Sequence, residues 1–406
     1  EPVNESAITE SLQQYFFGTK VIADRFTYPK LHNRYIFNFN RLLDDKPYGN
    51  ANKGLTIKLI TPQSDLYGDE SSYAQQSLSP DTLCIALPDD RSYIDLISRS
   101  QKIKAYIFSN TNNQDPRFRL LLEERRNERQ QLDHSAQDRA LAALESAQIY
   151  VGGSPISSNR DFSARLEEAE KALIDNNYRS LDYIDAAKSD HDITQLLGDN
   201  GLVRTSENIR AVEAVFEWLQ RQLKGTQHVT FKTVLTRFAG IPYGYTEEDT
   251  QWLVAALFKD GKIKLTYNGE TISVMQDSAR QITEYLTKKQ YAEKIAIQVR
   301  TVVSPRDLKT LRDVAGEVFN KQTFSESDAE TVANELLLKV KADLKNLELF
   351  ETKNARYPGH DLVEKGIGYL RELVAAKDSD AFIATIVKLS DALLDWHDDC
   401  DDSETM

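Results

Sequence analysis

The sequence has only two cysteines, Cys84 and Cys400, far apart in the chain. That scarcity argues against a disulfide scaffold and fits a reducing compartment. It has no run of about 18 apolar residues, so no stretch reads as membrane-spanning. No charged-then-apolar leader opens it either. Neither G-x-x-x-x-G-K-[ST] nor G-x-G-x-x-G after a strand occurs, so the glycine patterns that cradle nucleotide phosphates are missing. The six histidines, His32, His134, His191, His228, His360 and His397, show no metal-ligand spacing with one another or with cysteine. No metal site is expected from them, although His397 beside Asp398, Asp399 and Cys400 would hold an ion adventitiously. No G-x-S-x-G elbow exists, and the two cysteines carry no nucleophile signature. The sequence offers no active site.

What is there sets other bounds. A chain of 406 residues is long enough for two to four domains. With 40% hydrophobic and 28% charged residues, the composition is that of a soluble globular protein. The formal net charge of −13 and a pI near 5.1 disfavour a dedicated nucleic-acid binder, though local patches can depart from the total. The first residue is Glu1 and not methionine, which reads as a piece of something longer.

The most informative stretch is 228–274. A short helix is expected from Val229 to Phe238, with Gly240 as a left-handed cap just past its end. After the loop Ile241-Pro-Tyr-Gly-Tyr245, Thr246 caps a second helix, and Asp249 three positions on completes an imperfect capping box. Trp252, Leu253, Ala256 and Leu257 lie on one face of that helix, which stops at Asp260-Gly261. Two alternating runs, 262–267 and 270–274, then flank Asn268-Gly269, a dipeptide suited to a tight hairpin turn. Helix, helix, hairpin is the order of a winged helix-turn-helix. Such a module reads DNA by default, with its second helix in the major groove. Here the first turn of that helix is Glu247, Glu248 and Asp249, which phosphates would avoid. A protein-interaction surface around Tyr243, Tyr245, Glu247 and Glu248 is therefore the expected use. Phosphate contact through Arg237, Lys259, Lys262 and Lys264 is the alternative.

Around this centre the chain reads as mainly α with α+β parts. Residues 1–112 form an α+β unit: a helix over 6–17, strands at 35–41, 55–60 and 82–87, a short helix over 92–100, and a further strand at Ala105-Tyr-Ile-Phe108. Residues 113–224 are a helical arm or linker. In it Asp115-Pro116 opens a long charged helix running to about Tyr150, Asp161 caps another, and Ser206 starts a third with Ile209, Val212, Phe216, Leu219 and Leu223 as its seam. The cluster Arg125, Arg126 and Arg129 is interleaved with Glu123, Glu124 and Glu128 and reads as a solvated face. The winged helix occupies 225–276, and 277–406 is a helical C-terminal domain ending in an acidic tail, Asp398 to Glu404, either disordered or the start of a cut element. A strand is expected at 295–303, then helices from Ser304-Pro305 and Ser325 and two more ending near Trp396. Residues 288–321 are locally basic. Lys288, Lys289, Arg306, Lys309 and Arg312 are its candidate nucleic-acid contacts, with only Tyr291 and Phe319 to stack on bases.

Several short motifs carry a resemblance. Tyr15-Phe-Phe17, Phe39-Asn-Arg41 with Asp44, Leu83-Cys-Ile-Ala-Leu-Pro-Asp-Asp90, Ile149-Tyr-Val-Gly-Gly153 and the Pro242-Tyr-Gly-Tyr245 segment resemble the middle region of the BrxC/PglY family, the P-loop ATPase component of bacteriophage-exclusion (BREX) defence systems. That family typically has Pro-Tyr-Gly-Trp where this chain has Tyr245. The resemblance implies a bacterial cytoplasmic protein working with a DNA methyltransferase and a phosphatase-like partner, with DNA as a further candidate and oligomer formation open in the full-length protein. It implies ATP and magnesium only for a module before Glu1. No cofactor and no catalytic residue is expected within these residues, and no position matches a Walker motif. The function so implied is a non-catalytic interaction and scaffold region.

Overall fold

The computed structural model describes residues 5–111, 115–198, 207–223, 229–274, 277–300, 303–324, 329–353 and 359–404. The chain divides into two compact units, Glu1–Arg179 and Ser180–Met406.

The first unit runs α1 (Glu5–Gln13), a π turn (Gln14–Gly18), β1 (Arg25–Tyr28), β2 (Tyr35–Leu43), β3 (Lys46–Pro47), β4 (Leu55–Ile60), α2 (Glu70–Gln76), β5 (Thr82–Ala86), α3 (Ser92–Ser109), α4 (Pro116–Glu145), β6 (Gln148–Val151), β7 (Ser154–Pro155) and α5 (Phe162–Asn177). Its seven strands form one mixed sheet in the order β1-β2-β4-β5-β6-β7, with β3 added to β2. The contacts β2·β4 and β4·β5 are parallel and the rest antiparallel. Strand alternation gives the sheet two apolar faces. Leu59, Ile85 and Ile149 form one buried row across three strands. On the opposite face Ile60, Cys84, Ala86 and Tyr150 are covered by Tyr73 of α2. Burial there pushes the Cys84 thiol up to about 12, so this cysteine packs and does not react.

The motif residues of this unit turn out to be braces. Arg41 donates from Nη1 to the carbonyls of Phe17 and Ile22 and lies over the rings of Phe17 and Tyr48. Asp44 accepts from the Thr61 amide and hydroxyl at 2.8 and 2.6 Å. Asp90 accepts from the Ser92 amide at the head of α3. Gly152 and Gly153, with φ of 58° and 81°, make the β6–β7 turn, where a Cβ on Gly153 would meet Leu78 at 2.9 Å.

Two expectations fail here. Ala105 to Phe108 is not a strand but the last turn of an 18-residue helix, α3. A four-residue apolar run cannot distinguish strand from helix by periodicity, and Tyr106 and Phe108 are exposed instead of sheet-bound. The long charged helix stops at Glu145, with Ser146 capping it, and Ile149 to Val151 pair with β5. The sheet therefore takes strands from both sides of α4, and the first compact unit continues past the boundary expected at 112. Asp115 and Asp161 cap α4 and α5 as expected.

The second unit runs α6 (Asp190–Gly198), α7 (Ile209–Leu223), β8 (Val229–Thr230), α8 (Phe231–Ala239), α9 (Glu247–Lys259), β9 (Ile263–Tyr267), β10 (Glu270–Ile272), α10 (Ala279–Thr287), α11 (Lys289–Ala292), β11 (Ile295–Val299), α12 (Pro305–Glu317), α13 (Ala329–Lys353), α14 (His360–Val374) and α15 (Ser379–Glu404). The strands form a sheet ordered β10-β9-β11-β8. β11 pairs antiparallel with both β9 and β8, so it completes the winged helix, which extends beyond the boundary expected at 276. The last four helices share a core of Leu311, Val314, Leu336, Leu370, Phe382 and Ile386. α15 continues through Asp398 to Glu404, where a break in composition pointed to a tail. On α7, Val212, Val215 and Leu219 are buried while Ile209 is exposed, so the seam is narrower than its spacing implies. Ser206, His228 and Ser325 lie outside the described residues.

Candidate functional site

The winged helix is built around a plugged turn. Thr230 Oγ1 accepts from the Thr233 amide at 3.3 Å and starts α8. Gly240 ends it with φ −88° and ψ 175°, an extended cap and not the left-handed one expected. The left-handed glycines of the winged helix are Gly244, Gly261 and Gly269, with φ of 69°, 65° and 85°. Between α8 and α9, where Ile241–Pro242 is cis, Tyr243 and Tyr245 fold inward against Phe238, with ring centroids 4.3 and 5.8 Å away. The Tyr245 hydroxyl donates to the Ser180 carbonyl at 3.1 Å, and the Ser180 amide donates to the Pro242 carbonyl at 2.9 Å. Burial pushes the Tyr245 phenol far above its ordinary range, so its proton stays on. Arg237 closes the turn from outside, donating to the Ile241 carbonyl at 2.7 Å and lying over the Tyr243 ring. Thr246 and Asp249 then form the complete capping box.

The helix that follows decides what this module can do. Every residue of α9 from Asp249 to Phe258 is buried. Ten consecutive residues cover nearly three turns and hence every side of the helix, a pattern that belongs to a core element and not to an amphipathic surface helix. Neighbours α6, α7, α8, α10 and β9 surround it, and Lys188 Nζ lies 4.7 Å from the Trp252 ring. Only Glu247, Glu248, Lys259 and the residues at its two ends approach the surface. A helix enclosed in this way has no face to lay in a DNA groove.

The wing is similarly engaged. Lys264 of β9 donates to Asp378 at 2.7 Å. Asp378 also accepts from the Ala381 amide at the head of α15. Burial pushes the Asp378 carboxyl up, but the Lys264 hydrogen bond, the Ala381 amide and the charges of Lys264 and Arg300 together outweigh it and hold the group below its usual range. Arg300, one residue past β11, pairs with Glu330 of α13, donates to the Ser379 hydroxyl at 2.7 Å, and lies 3.4 Å from Asp380. Ser379 donates to the same Glu330 carboxylate. Gly261 sits directly beneath, where a Cβ would meet Glu330 Cβ at 2.8 Å. These groups form an ionic clasp that fastens the winged helix to the helical bundle.

The expected site residues fare unequally. Tyr243 and Tyr245 are 8% and 3% exposed and belong to the core of the turn, which corrects their reading as interaction residues. Glu247 and Glu248 are exposed. Arg237 braces its own turn, Lys259 reaches the Leu197 carbonyl at 3.4 Å, and Lys264 is held in the clasp, so these three are not the open phosphate contacts expected. Lys262 is exposed beside Asp260 and above the Phe216 ring. Lys288 pairs with Glu284 at 2.7 Å, and Lys289 is exposed. Arg306, Lys309 and Arg312 recur every third residue along the exposed side of α12. Tyr291, one of the two aromatics expected to stack on bases, packs with Tyr267 and Tyr285 at centroid distances of 5.4 and 5.2 Å. Arg300, Glu330, Asp378 and Ser379 were missed as a group. Their only sequence signal was the Asp-Ser-Asp run at a helix start, because the pairing joins residues far apart in the chain. Among the described residues no group of three His, Cys, Asp or Glu side chains is placed to hold a metal ion. None of the described helices is long and apolar enough to cross a membrane.

Fold and site together define a winged-helix protein in which the second helix of the motif is interior and the wing is fastened to a helical bundle. Three family models match in succession. They are described as the BREX ATP-binding protein BrxC 4th domain with six-stranded beta sheet (residues 1–173), the BrxC winged helix-turn-helix domain (residues 173–301) and the BrxC alpha helical domain (residues 307–405). The chain belongs to the BrxC family of BREX systems. No solved structure matches it.

Proposed function

We propose that this chain is a non-catalytic interaction and scaffold region of a BREX antiphage-defence ATPase, docking partner proteins in a multi-subunit complex. The observation that carries this reading is the enclosure of α9. A winged helix whose reading helix is interior serves as a rigid body whose outer surfaces are available to other proteins. The clasp at Lys264 and Arg300 supports it further by fixing the bundle to that body. ATP and magnesium belong, on this proposal, to another part of the parent protein, and the partners are the methyltransferase and the phosphatase-like component. Co-purification tests this. The tagged chain is expected to retain at least one of those two proteins, and recovery of neither would remove the scaffold reading.

A second reading is supported by one surface. The stripe Arg306, Lys309 and Arg312 on α12 is exposed and basic, which suits sequence-independent phosphate contact. It predicts duplex binding that falls steeply with salt and is blunted by Arg306→Glu with Lys309→Glu. Lys264→Glu is the wrong probe, since it would break the clasp.

A further inference from the structure

The helical pair α3 and α4 is anchored at one end and open at the other. At its base the Ser100 hydroxyl donates to Asp133, Gln101 donates to Ser11 of α1 at 3.2 Å, and Tyr15 reaches the Asp133 carbonyl. Leu132, Ala136 and Ala140 are buried there. Toward the other end of the pair burial thins, and Leu122, 4% exposed, is its last fully buried apolar side chain on α4. Phe108 is 84% exposed, Leu120 66% and Tyr106 42%, three large apolar side chains near the end of α3 and the start of α4. Beside them is a cleft of about 410 Å³, floored by Ile103, Tyr106 and Leu121 and rimmed by Arg99, Lys102 and Arg125, with Glu128 paired to Arg125. A protein surface seldom leaves so many apolar side chains together without a binding use. The charge is also out of character with the rest of the chain. Arg99, Lys102, Lys104, Arg117, Arg119, Arg125, Arg126 and Arg129 stand against Asp115, Glu123, Glu124 and Glu128 in a protein of net charge −13.

We propose that this tip is the docking surface for an acidic amphipathic helix of a partner protein. The inference rests on the interaction reading above and gives it a place and a chemistry. A helix offers an apolar stripe to fill the aliphatic floor and acidic flanks to meet Arg99 and Lys102, the mode in which amphipathic helices lie in grooves. Nucleic acid fits less well: Ile103, Leu120 and Leu121 offer no ring for a base, which leaves Tyr106 and Phe108 alone to stack, and Glu123 and Glu124 are exposed on the same helix. A second copy of this strongly acidic chain fits only if it presents such a helix.

The test uses the full chain and a fluorescein-labelled synthetic peptide of about 20 residues, long enough to form helix in water, with Leu at the a and d positions of its heptads and Glu on the flanks. A scrambled peptide of the same composition, a labelled single-stranded oligonucleotide and sedimentation of the chain alone are measured beside it. The amphipathic peptide is expected to bind and the scrambled one not. Phe108→Ser with Leu120→Ser is expected to weaken binding at least about tenfold. Arg99→Glu with Lys102→Glu does the same, with an effect that shrinks as salt rises. All four positions are exposed, so the melting temperature should not move. Equal binding of both peptides, or none, overturns the proposal. So does a dimer abolished by the Phe108 and Leu120 changes, or oligonucleotide binding that only the charge reversals remove. Failure of the peptide with co-purification intact would remove this surface alone, whereas loss of co-purification in the unaltered chain would remove the interaction reading itself.

Discussion

Helices α9 and α4 are the two extremes of the chain. α9 is 13 residues long with ten of them in succession buried, and α4 is 30 residues long with arginines and glutamates on most of its circumference. The sequence pointed to the start of α9 as a partner surface and read the arginine and glutamate cluster of α4 as a solvated face. The structure encloses α9 and leaves much of α4 exposed. A segment that is apolar on several sides is worth more to stability inside a protein than at a surface, and α9 is enclosed for that reason. α4 carries too little apolar surface to be enclosed, so Leu120 near its start stays exposed even though Leu122 is buried. Shape alone therefore does not say which helix of a motif meets a partner.

This contrast can be broken experimentally. The largest effect is expected from Leu253→Ala in α9, where a fully buried side chain leaves a cavity and costs up to about 5 kcal/mol by urea unfolding. Arg300→Ala should follow at about 3 kcal/mol, because Glu330 would be left nearly buried without its cation. A midpoint unchanged in that variant would mean the clasp is ornamental. Gly261→Ala is expected to cost about 1–3 kcal/mol, since φ of 65° disfavours any Cβ and Glu330 already occupies the space. The smallest effect belongs to α4: Arg126→Ala, exposed and away from any buried pair, should stay within about 0.5 kcal/mol.

Proton linkage separates the two units in a different way. In the first, burial followed by the nearby Glu167 raises the Glu170 carboxyl of α5 from its ordinary 4.5 to about 8. The folded state then holds a proton that the unfolded chain gives up, so this contribution is complete below the ordinary carboxylate range and declines as pH rises toward 8. Glu170→Gln should raise the melting temperature most at pH 8 and least near pH 5. In the second unit Asp378 is held below 3.8, so the clasp is at full strength above that value and weakens only as pH falls through the lowered one. Asp378→Asn should therefore matter at neutral pH and lose its effect in acid.

Much of the winged helix was legible residue by residue. Thr246 with Asp249, Asn268-Gly269 and the alternating runs after Gly261 each obey a local rule, and each appears where that rule puts it. The caps at Asp115, Asp161 and Ser304 were legible for the same reason. Elements with weak local signals were not. β1 is a four-residue edge strand with alternate half-buried residues, and α2 buries only Tyr73. The strand β6 was hidden because its apolar residues continue the pattern of the helix before it, and only pairing with β5 separates them.

By itself the sequence determined where several helices begin and which side chains cap them, and that one stretch is a winged helix, while short motifs gave the resemblance to a family. The helix starts, the caps and the winged-helix order follow from short-range sterics, hydrogen bonding and periodicity. The tertiary structure alone decided that Tyr243 and Tyr245 plug a turn, that α9 is interior, that Lys264 and Arg300 hold the bundle, and that the exposed apolar residues gather at one end of the α3–α4 pair. Burial and ion pairing are relations between residues distant in the chain, and no local pattern specifies which distant partner will cover a given face.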